Sequence, residues 1–387
     1  MRRGQIGAVL CLVPLLVSAP AWAEPSGDYG PPTSQCTITD PEIDELSGLV
    51  GLPDGQMLLV EDSTPEPRPG STSILMYRLD PACAVQDDVV EYDQDPRDIE
   101  DLAFRDKTVW FADIGDNGES RDNVALITAA YDPLDPQAEE SVPIVFRLAY
   151  PDGPHDAEAL LLAPDGTPYI VTKDLLGQSG VYRPAGELDP AGEVALEKVA
   201  EVEFAMTGTP GGPIGRAGQL LVTGGAVTAD GSRIALRTYT DAYVWSLSGS
   251  DVAGALQEEP VAVVALPDAP QGEAISFASD SRGLIVGSEG VDSVITAVPA
   301  AAPDDPTADP SAEPTADPTA ESGGVAEATD AFETSPATVT AGLIAVAVVF
   351  GVIWLIRRMR RKRPLVQRDS DQGGVGEEGH PQGAEGH

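Results

Sequence analysis

The chain has 387 residues, and its 63 acidic residues outnumber its 23 basic ones to give a formal net charge of −40. This balance excludes a nucleic-acid-binding protein, because a phosphate backbone is held by clustered lysine and arginine side chains. Most of the acidity lies in residues 24–299, which carry a net charge of −35. A surface of this kind suits an exported soluble domain and attracts cations.

Residues 1–23 have the pattern of a secretory signal peptide. Arg2 and Arg3 precede an uncharged apolar run, and Ala21-Trp22-Ala23 forms a small-x-small cleavage site. The mature chain is therefore predicted to begin at residue 24 in an oxidising compartment. Cys36 and Cys83 are the two cysteines that it keeps, and we expect them to form a disulfide.

The C-terminal part of the chain predicts a membrane anchor. Residues 337–356 contain no charged side chain, and a helix of that length spans about 30 Å, which matches the hydrocarbon core of a bilayer. Basic residues follow at once, as in the positive-inside pattern. We therefore expect a single-pass type I protein whose N-terminal domain is extracellular and whose residues 357–387, basic at first, form a disordered cytoplasmic tail.

Residues 300–336 are predicted to form a stalk between the domain and the membrane. Their repeats of Asp or Glu, Pro, Thr or Ser, and Ala place proline at regular intervals. Such a composition favours extended polyproline II, which would make this Pro-rich linker about 100 Å long.

A recurring pattern fills the domain of residues 24–299. Five units each contain a short apolar segment, a turn with Asp or Gly, a second apolar strand and then a third strand, and no amphipathic helical pattern interrupts them. Four-stranded blades of an all-β propeller fit this spacing, whereas a β-sandwich, the alternative, gives no reason for the repetition. The units align at Ser47, Glu100, Glu158, Gly225 and Glu273.

Blade number and ring closure follow from the same alignment. Five blades are favoured, and six remain an alternative because the 67-residue step from Glu158 to Gly225 has room for an extra strand pair. The fifth unit lacks an outer strand of its own. Residues 37–39 are predicted to supply it, and the disulfide would then tie this closing strand to the first blade.

Several stretches of the domain resemble a family of exported bacterial β-propellers that is distantly similar to the SMP-30/gluconolactonase-like and esterase-like phytase propellers. The stretches are residues 98–102, 113–117, 150–159, 237–243 and 270–274. The resemblance implies a propeller fold and a location at the plasma membrane of a bacterium. It also implies calcium at the channel mouth, which lactonase-like propellers hold through Glu, Asp and Asn.

Three glutamates are expected to meet at the propeller axis. Glu100, Glu158 and Glu273 occupy one position on the innermost strands of three blades. Two carboxylates 4 Å apart repel by about 4 kcal/mol at an effective dielectric of 20, so such a ring needs compensation. A metal ion, shared protons, or Lys173 and Arg237 could provide it, and with the two bases alone the ring would be a structural ion-pair cluster.

Oxygen donors of this kind suit Ca²⁺ rather than zinc. The candidate metal ligands are Glu100, Asp113, Asn117, Glu158 and Glu273. Strand ends and adjoining turns at the same mouth supply the candidate ligand-binding residues, which are Lys173, Arg237, Gln271 and Glu273.

The catalytic options are few, because His155 is the only histidine in the exported domain and no Gly-x-Ser-x-Gly elbow is present. His155 is either a general base or a hydrogen-bonding turn residue, and Glu100, Glu158 or Asp113 could serve as a carboxylate base. No catalytic constellation is complete, so the sequence leaves open whether the protein is an enzyme. We expect a cell-surface module that binds an extracellular protein or a small molecule, or serves as a scaffold. The alternative is a calcium-dependent lactonase or esterase, or a phytase-like hydrolase, acting at the channel mouth.

Overall fold

A computed structural model describes residues 28–62, 73–86, 90–135 and 141–301. The predicted signal peptide, transmembrane segment and cytoplasmic tail lie outside these ranges, as does the stalk beyond residue 301. Within the part that is described, no helix has the length and apolar character needed to cross a membrane.

The described residues form twenty strands that fall into five four-stranded units. The first strand in the chain belongs to the last unit, and the other nineteen follow in order. The strands are β1 (Thr33–Thr37), β2 (Leu46–Gly51), β3 (Met57–Glu61), β4 (Ile74–Leu79), β5 (Val90–Tyr92), β6 (Asp101–Arg105), β7 (Thr108–Asp113), β8 (Val124–Ala130), β9 (Ile144–Ala149), β10 (Ala157–Leu162), β11 (Pro168–Thr172), β12 (Gln178–Pro184), β13 (Glu193–Glu203), β14 (Val222–Val227), β15 (Arg233–Thr238), β16 (Asp241–Ser246), β17 (Ala262–Ala265), β18 (Ile275–Phe277), β19 (Leu284–Val286) and β20 (Val294–Val298). Two short helices are also described, a 3₁₀ helix at Gly215–Gln219 and α1 at Val252–Ala255.

Each unit is an antiparallel sheet whose first strand lies innermost. Units 1 to 4 are β2–β5, β6–β9, β10–β13 and β14–β17, and unit 5 has the order β18-β19-β20-β1. Units 2 and 3 share one eight-stranded sheet because their outer strands β9 and β13 pair in parallel. The five first strands contact one another in a closed circle from β2 through β6, β10, β14 and β18 back to β2. This circle is the arrangement of a β-propeller, and the all-β prediction is confirmed.

The burial of the strands follows from their position in the units. All six residues of the innermost strand β10 are buried, and its sequence is almost entirely apolar. The outer strand β13 instead alternates exposed and buried residues along much of its length, as a strand with one face in water does. Apolar layers therefore fill the spaces between neighbouring units, for example around Leu161, Val171, Leu236 and Trp245 between units 3 and 4.

The N-terminal strand closes the ring, as predicted, but it lies earlier in the chain than expected. β1 pairs with β20 from Thr33 opposite Ala297 to Thr37 opposite Val294, whereas the predicted strand began at residue 37. Ile38 lies just after the strand and is buried. Its apolar side chain placed the predicted strand at residues 37–39, a few positions too late. The predicted disulfide is confirmed: Cys36 in β1 is bonded to Cys83, just after β4 of the first unit.

The long step between units 3 and 4 contains no extra strand pair in the part of the chain described. Its length comes from the 11-residue strand β13 and from residues 204–221, which include the 3₁₀ helix. The described arrangement thus has five units, and the alternative of six receives no additional strands from this step.

Candidate functional site

A β-bulge at the beginning of the innermost strands sets the position of the candidate site. In unit 3, Ala157 pairs with Thr172 and Ala159 pairs with Val171, so Glu158 is the inserted residue. The same irregularity places Ser47 in unit 1 and Thr223 in unit 4. The bulge turns the inserted side chain away from the regular strand alternation and towards the axis.

The structure corrects one position of the sequence alignment. Gly225 was aligned with Glu158, but Gly225 lies within the regular ladder opposite Leu236, and the inserted residue of unit 4 is Thr223. The equivalent positions in the five units are therefore Ser47, Glu100, Glu158, Thr223 and Glu273. Thr223 and Gly225 are two residues apart and lie on the same side of the strand alternation, so the apolar pattern did not distinguish between them.

The two hydroxyl residues and the three acids of this circle have different roles. Ser47 donates its hydroxyl to the carbonyl of Glu100 at 2.5 Å, and Thr223 donates to the carbonyl of Gly272 at 2.8 Å. Each hydroxyl thereby joins its own unit to a neighbouring one. The three glutamates make no such backbone link, and their carboxylates form the candidate site.

Glu100, Glu158 and Glu273 form a compact carboxylate cluster. One oxygen from each side chain lies within 4.8 Å of the other two, and all three residues are buried. Glu100 Oε1, Glu158 Oε2 and Glu273 Oε2 are buried and have no hydrogen-bond partner among the described residues. The structure thus brings together the three glutamates that the sequence placed at one axial position.

Lys173 supplies one positive charge to the carboxylate cluster. Its ammonium donates to Glu158 Oε1 at 2.6 Å, and it lies 5.2 Å from the centre of the Tyr239 ring. Burial alone would lower the pKa of Lys173, but the facing carboxylate of Glu158 contributes to raising it well above its ordinary value. Lys173 therefore stays charged and holds one of the three acids.

Arg237 is also buried beside the carboxylate cluster, but its hydrogen bonds go to backbone carbonyls. The guanidinium donates to the carbonyls of Thr238 at 3.2 Å, Ala274 at 2.7 Å and Gly287 at 2.9 Å. Gly272 leaves room for it, since a Cβ atom there would lie 2.1 Å from Arg237 Nη2. Arg237 consequently ties unit 4 to unit 5 and forms no ion pair with a described carboxylate.

The carboxylate cluster holds more acidic groups than neighbouring cations. Burial, reinforced by the nearby carboxylates of Glu158 and Asp98, raises the pKa of Glu100 well above its usual range. Burial likewise raises the pKa of Glu158 to about 8, although Lys173 acts in the opposite direction. Three acids thus face the bonded ammonium of Lys173 and the guanidinium of Arg237, which interacts electrostatically with Glu273, so a proton on a carboxyl group or a bound cation can balance the charge that remains.

Asp113 and Asn117, the other candidate metal ligands, are not brought to the carboxylate cluster. The Asp113 carboxylate accepts from Arg121 Nη2 at 2.8 Å, from the amide of Asp98 at 3.0 Å and from Arg97 Nε at 3.2 Å. Asn117 is exposed in the turn that follows. Asp113 therefore orders its own loop through two arginines that lie 16 and 8 residues away in the chain.

His155 and Gln271 belong to separate polar groups around the mouth. His155 Nε2 lies 3.0 Å from Asp152 Oδ1 and 3.1 Å from the hydroxyl of Tyr182, and it is half-exposed. This arrangement matches the turn histidine considered from the sequence. Gln271 donates its side-chain amide to Glu289 Oε2.

Sequence reasoning missed Tyr239 and Asp101 at this end of the channel. Tyr239 is buried against Lys173, and its stretch, residues 237–243, was noted from the sequence for its family resemblance. Asp101 accepts from the amides of Leu102 at 2.8 Å, Leu160 at 2.7 Å and Gly225 at 3.2 Å, and so links units 2, 3 and 4. The acidic residue that follows Glu100 was a visible signal, but its cross-unit partners were not.

The chain is similar to known proteins in its structure but not in its sequence. No protein-family profile and no curated protein sequence matches the chain. The structure is similar to the PQQ-bound aldose sugar dehydrogenase of Streptomyces coelicolor, with a TM-score of 0.39 and 11% identity over 72% of this chain and 100% of that chain. It is also similar to a gluconolactonase of Xanthomonas campestris, with a TM-score of 0.38 and 13% identity over 73% of this chain and 93% of that chain. These likenesses assign no activity, and the function is argued from the site itself.

The carboxylate cluster fits the dimensions of a calcium site. Calcium binds oxygen at about 2.3–2.6 Å, so two oxygens on one ion lie at most about 5 Å apart. The mutual spacing within 4.8 Å satisfies this limit for one oxygen from each glutamate. The donors are hard anionic oxygens, which favour calcium over zinc or copper.

Proposed function

We propose that the propeller binds a divalent cation, calcium by its donor chemistry, at the carboxylate cluster and acts as a ligand-binding module on the outer surface of a bacterial cell. Two observations on the same three buried glutamates carry the proposal: each has a carboxylate oxygen without a hydrogen-bond partner among the described residues, and one oxygen of each lies within 4.8 Å of the others. Leaving a buried charged group unpaired is costly, so a cation is the natural counterpart of such a set.

A calcium ion at the carboxylate cluster would also provide the place where a ligand binds. Calcium takes six to eight oxygen ligands, and three side chains fill only part of that number. The remaining positions are open to water or to oxygens of a ligand. Lys173 and Tyr239 lie beside these positions and would contact the same ligand.

The two ends of the domain lie together on the face opposite the mouth. The amide of Gly30 donates to the carbonyl of Pro299, and the amide of Ala301 donates to the carbonyl of Asp28 at 2.7 Å. Val298 pairs with Leu284, at the ends of their strands far from Glu273. A stalk over residues 300–336 leading to a membrane helix at 337–356 would thus leave the propeller on the face opposite the carboxylate cluster.

A calcium-dependent hydrolase is the second candidate function. The observation that favours it is Glu158, a buried carboxylate in the cluster whose Oε2 has no hydrogen-bond partner among the described residues and could accept a proton from a bound substrate or water. A lactone or ester would suit such a base. A phytase-like activity is less favoured, because a net charge of −35 over residues 24–299 repels a polyanionic substrate.

The proposal is tested by measuring the metal content and melting of the full-length protein purified in detergent. After dialysis, elemental mass spectrometry should find about one calcium per chain, and saturating calcium should raise Tm by about 5 °C over the value in chelator. Glu158→Gln should abolish both effects. Glu197→Gln removes an exposed ion pair with Arg183 in the same unit and serves as the matched control that should keep them.

The same preparation separates the two candidate functions. Turnover of a panel of lactones and aryl esters that requires calcium and is lost in Glu158→Gln would establish the hydrolase. Calcium binding without turnover would support the ligand-binding module and exclude the hydrolase for these substrates. Absence of calcium together with identical melting in calcium and chelator would contradict both.

A further inference from the structure

The connection between units 3 and 4 lies on the mouth face of the propeller. β13 is the outer strand of unit 3 and ends on the mouth side, where Glu203 pairs with Gln178 at the beginning of β12. β14 is the innermost strand of unit 4 and begins at the mouth. Residues 204–221 must therefore run from the rim to the axis, and this segment is called the mouth segment below.

The mouth segment packs directly on Tyr239. The amide of Tyr239 donates to the carbonyl of Gly218 at 3.2 Å. A Cβ atom at Gly212 would lie 3.0 Å from Tyr239 Cβ, and one at Gly218 would lie 3.3 Å from it. Only glycine allows the backbone to approach the tyrosine this closely.

Polar contacts fasten the mouth segment to the turn that carries Tyr239. The buried carboxylate of Asp241 accepts hydroxyl hydrogen bonds from Thr209 at 2.7 Å and from Thr207 at 2.8 Å. Gln219 accepts from the amide of Gly208 and donates to the carbonyl of Thr209, both at 2.9 Å. Phe204 and Leu221 fix the two ends of the segment in the apolar core, whereas residues 205–217 between them are exposed or half-buried. The middle of the segment is thus held mainly by hydrogen bonds, which water can replace, so this part can open without exposing the core.

The carboxylate cluster is closed off from solvent in the described arrangement. Tyr239 is 3% exposed, and none of Glu100, Glu158 and Glu273 is more than 2% exposed. Tyr239 links the two regions, because its ring lies against Lys173 of the cluster and its backbone lies against the mouth segment.

We propose that the mouth segment and Tyr239 form a gate that opens to admit the cation and its ligand and closes over them. The inference rests on the proposed function, since it assigns regulation to the same site. Gly208, Gly211, Gly212 and Gly215 all have positive φ, which gives the segment backbone positions that can rotate without steric penalty. Tyr239 is the positioning residue that the gate moves.

Chemical modification of Lys173 reports the gate without requiring any bound metal. Its ammonium is buried under Tyr239, so an amine-acetylating reagent reaches it only from the open state. The full-length protein in detergent is treated with acetic anhydride in chelator, and the acetylation rate of Lys173 is followed by peptide mass spectrometry. The exposed Lys107 gives the intrinsic rate in every variant.

The deciding comparison is between two glycine variants at similar positive φ. Gly212→Ala places a methyl group against Tyr239, whereas at Gly249, in a turn outside the mouth segment, a Cβ atom meets no other group within 4 Å; φ is +73° at Gly212 and +71° at Gly249. We expect Gly212→Ala to raise the Lys173 rate about tenfold, and Gly249→Ala to stay within about twofold of the wild type. Equal Lys173 rates in both variants, or no reaction of Lys173 in any protein, would overturn the gate.

A second variant covers the case in which Gly212→Ala does not fold. Thr209→Val removes one hydroxyl from Asp241 and should raise the Lys173 rate several-fold with Lys107 unchanged; an unchanged Lys173 rate there overturns the gate. Repeating the wild-type measurement in calcium separates the two proposals. Slower acetylation in calcium supports the site and the gate together, while a rate that responds to the variants but not to calcium keeps the gate and counts against the cation site.

Discussion

The two ends of the propeller channel are built from the same five strands but in opposite ways. At the mouth the strands begin with Ser47, Glu100, Glu158, Thr223 and Glu273, and the end is closed. At the other end the same strands line a cavity of about 190 Å³ with mostly apolar and small residues such as Leu49, Leu162 and Phe277. A propeller channel can thus be lined without buried acids. Because buried charges stabilise a fold poorly, the carboxylate cluster is better explained by binding than by stability.

The largest difference between the two ends should appear when a positive charge is removed. Lys173→Met leaves Glu158 buried without its partner and should reduce the free energy of unfolding by about 3–5 kcal/mol in chelator. Arg105→Met at the other end removes hydrogen bonds to the carbonyls of Thr228 and Ala229 and should cost only about 1 kcal/mol. Urea denaturation gives the free energy of unfolding of both variants. Equal losses would show that a buried cation at the mouth contributes no more to stability than one at the other end.

Ring closure provides the next largest effect. The disulfide between Cys36 and Cys83 holds the closing strand, and its loop spans 47 residues. The double variant Cys36→Ser, Cys83→Ser should lose about 4 kcal/mol of unfolding free energy in the chain-entropy model. Denaturation with and without a reducing agent checks this, since the reductant should destabilise the wild type and leave the double variant unchanged.

Removing the cross-unit link at Asp101 should cost less. Asp101→Ala deprives three buried backbone amides of their acceptor and should destabilise the protein by about 3 kcal/mol. Asp230→Ala is the control, because Asp230 accepts from Ser232 in an exposed turn on the opposite face, and it should change stability by less than about 1 kcal/mol. Thermal melting that ranks the two variants in the reverse order would be inconsistent with an axial role for Asp101.

A further effect at the mouth is a dependence of stability on pH. Burial raises the pKa of Glu61 from 4.5 to about 8, against the hydrogen bonds from the amides of Asp44 and Glu45. The folded state therefore holds a proton that the unfolded state releases, and stability should fall as pH rises from about 4.5 to about 8. Burial raises the pKa values of Glu100 and Glu158 in the same direction, so Glu61→Gln should make this decline shallower in melting curves recorded in chelator. An equally steep decline in the variant would assign the dependence to other groups.

The sequence predicted those features of the structure that repeat with the units. The apolar pattern indicated five four-stranded units, and the shared position of Glu100, Glu158 and Glu273 predicted their meeting at the axis. The disulfide was predictable because Cys36 and Cys83 are the two cysteines of the predicted mature chain. Each of these depends on periodicity or on residue count, which are visible in a single chain.

Features set by long-range hydrogen bonds could not be predicted. The equivalent position of unit 4 is Thr223 rather than Gly225, and a shift of two residues leaves the strand alternation unchanged. Arg237 was one of the alternatives for neutralising the acids, but it donates to carbonyls, two of which lie about 40 to 50 residues further along the chain. The packing of the mouth segment on Tyr239 depends on Gly212 and Gly218. The sequence does not show which way this segment runs, so the contact could not be predicted.

The central claim, that the carboxylate cluster binds calcium, is tested most directly by calorimetric titration of calcium into the chelator-treated full-length protein. We predict one binding event per chain for the wild type and for Glu197→Gln, and no binding heat for the double variant Glu100→Gln, Glu273→Gln. Identical titrations for the wild type and the double variant, or the absence of binding in all three proteins, would contradict the claim.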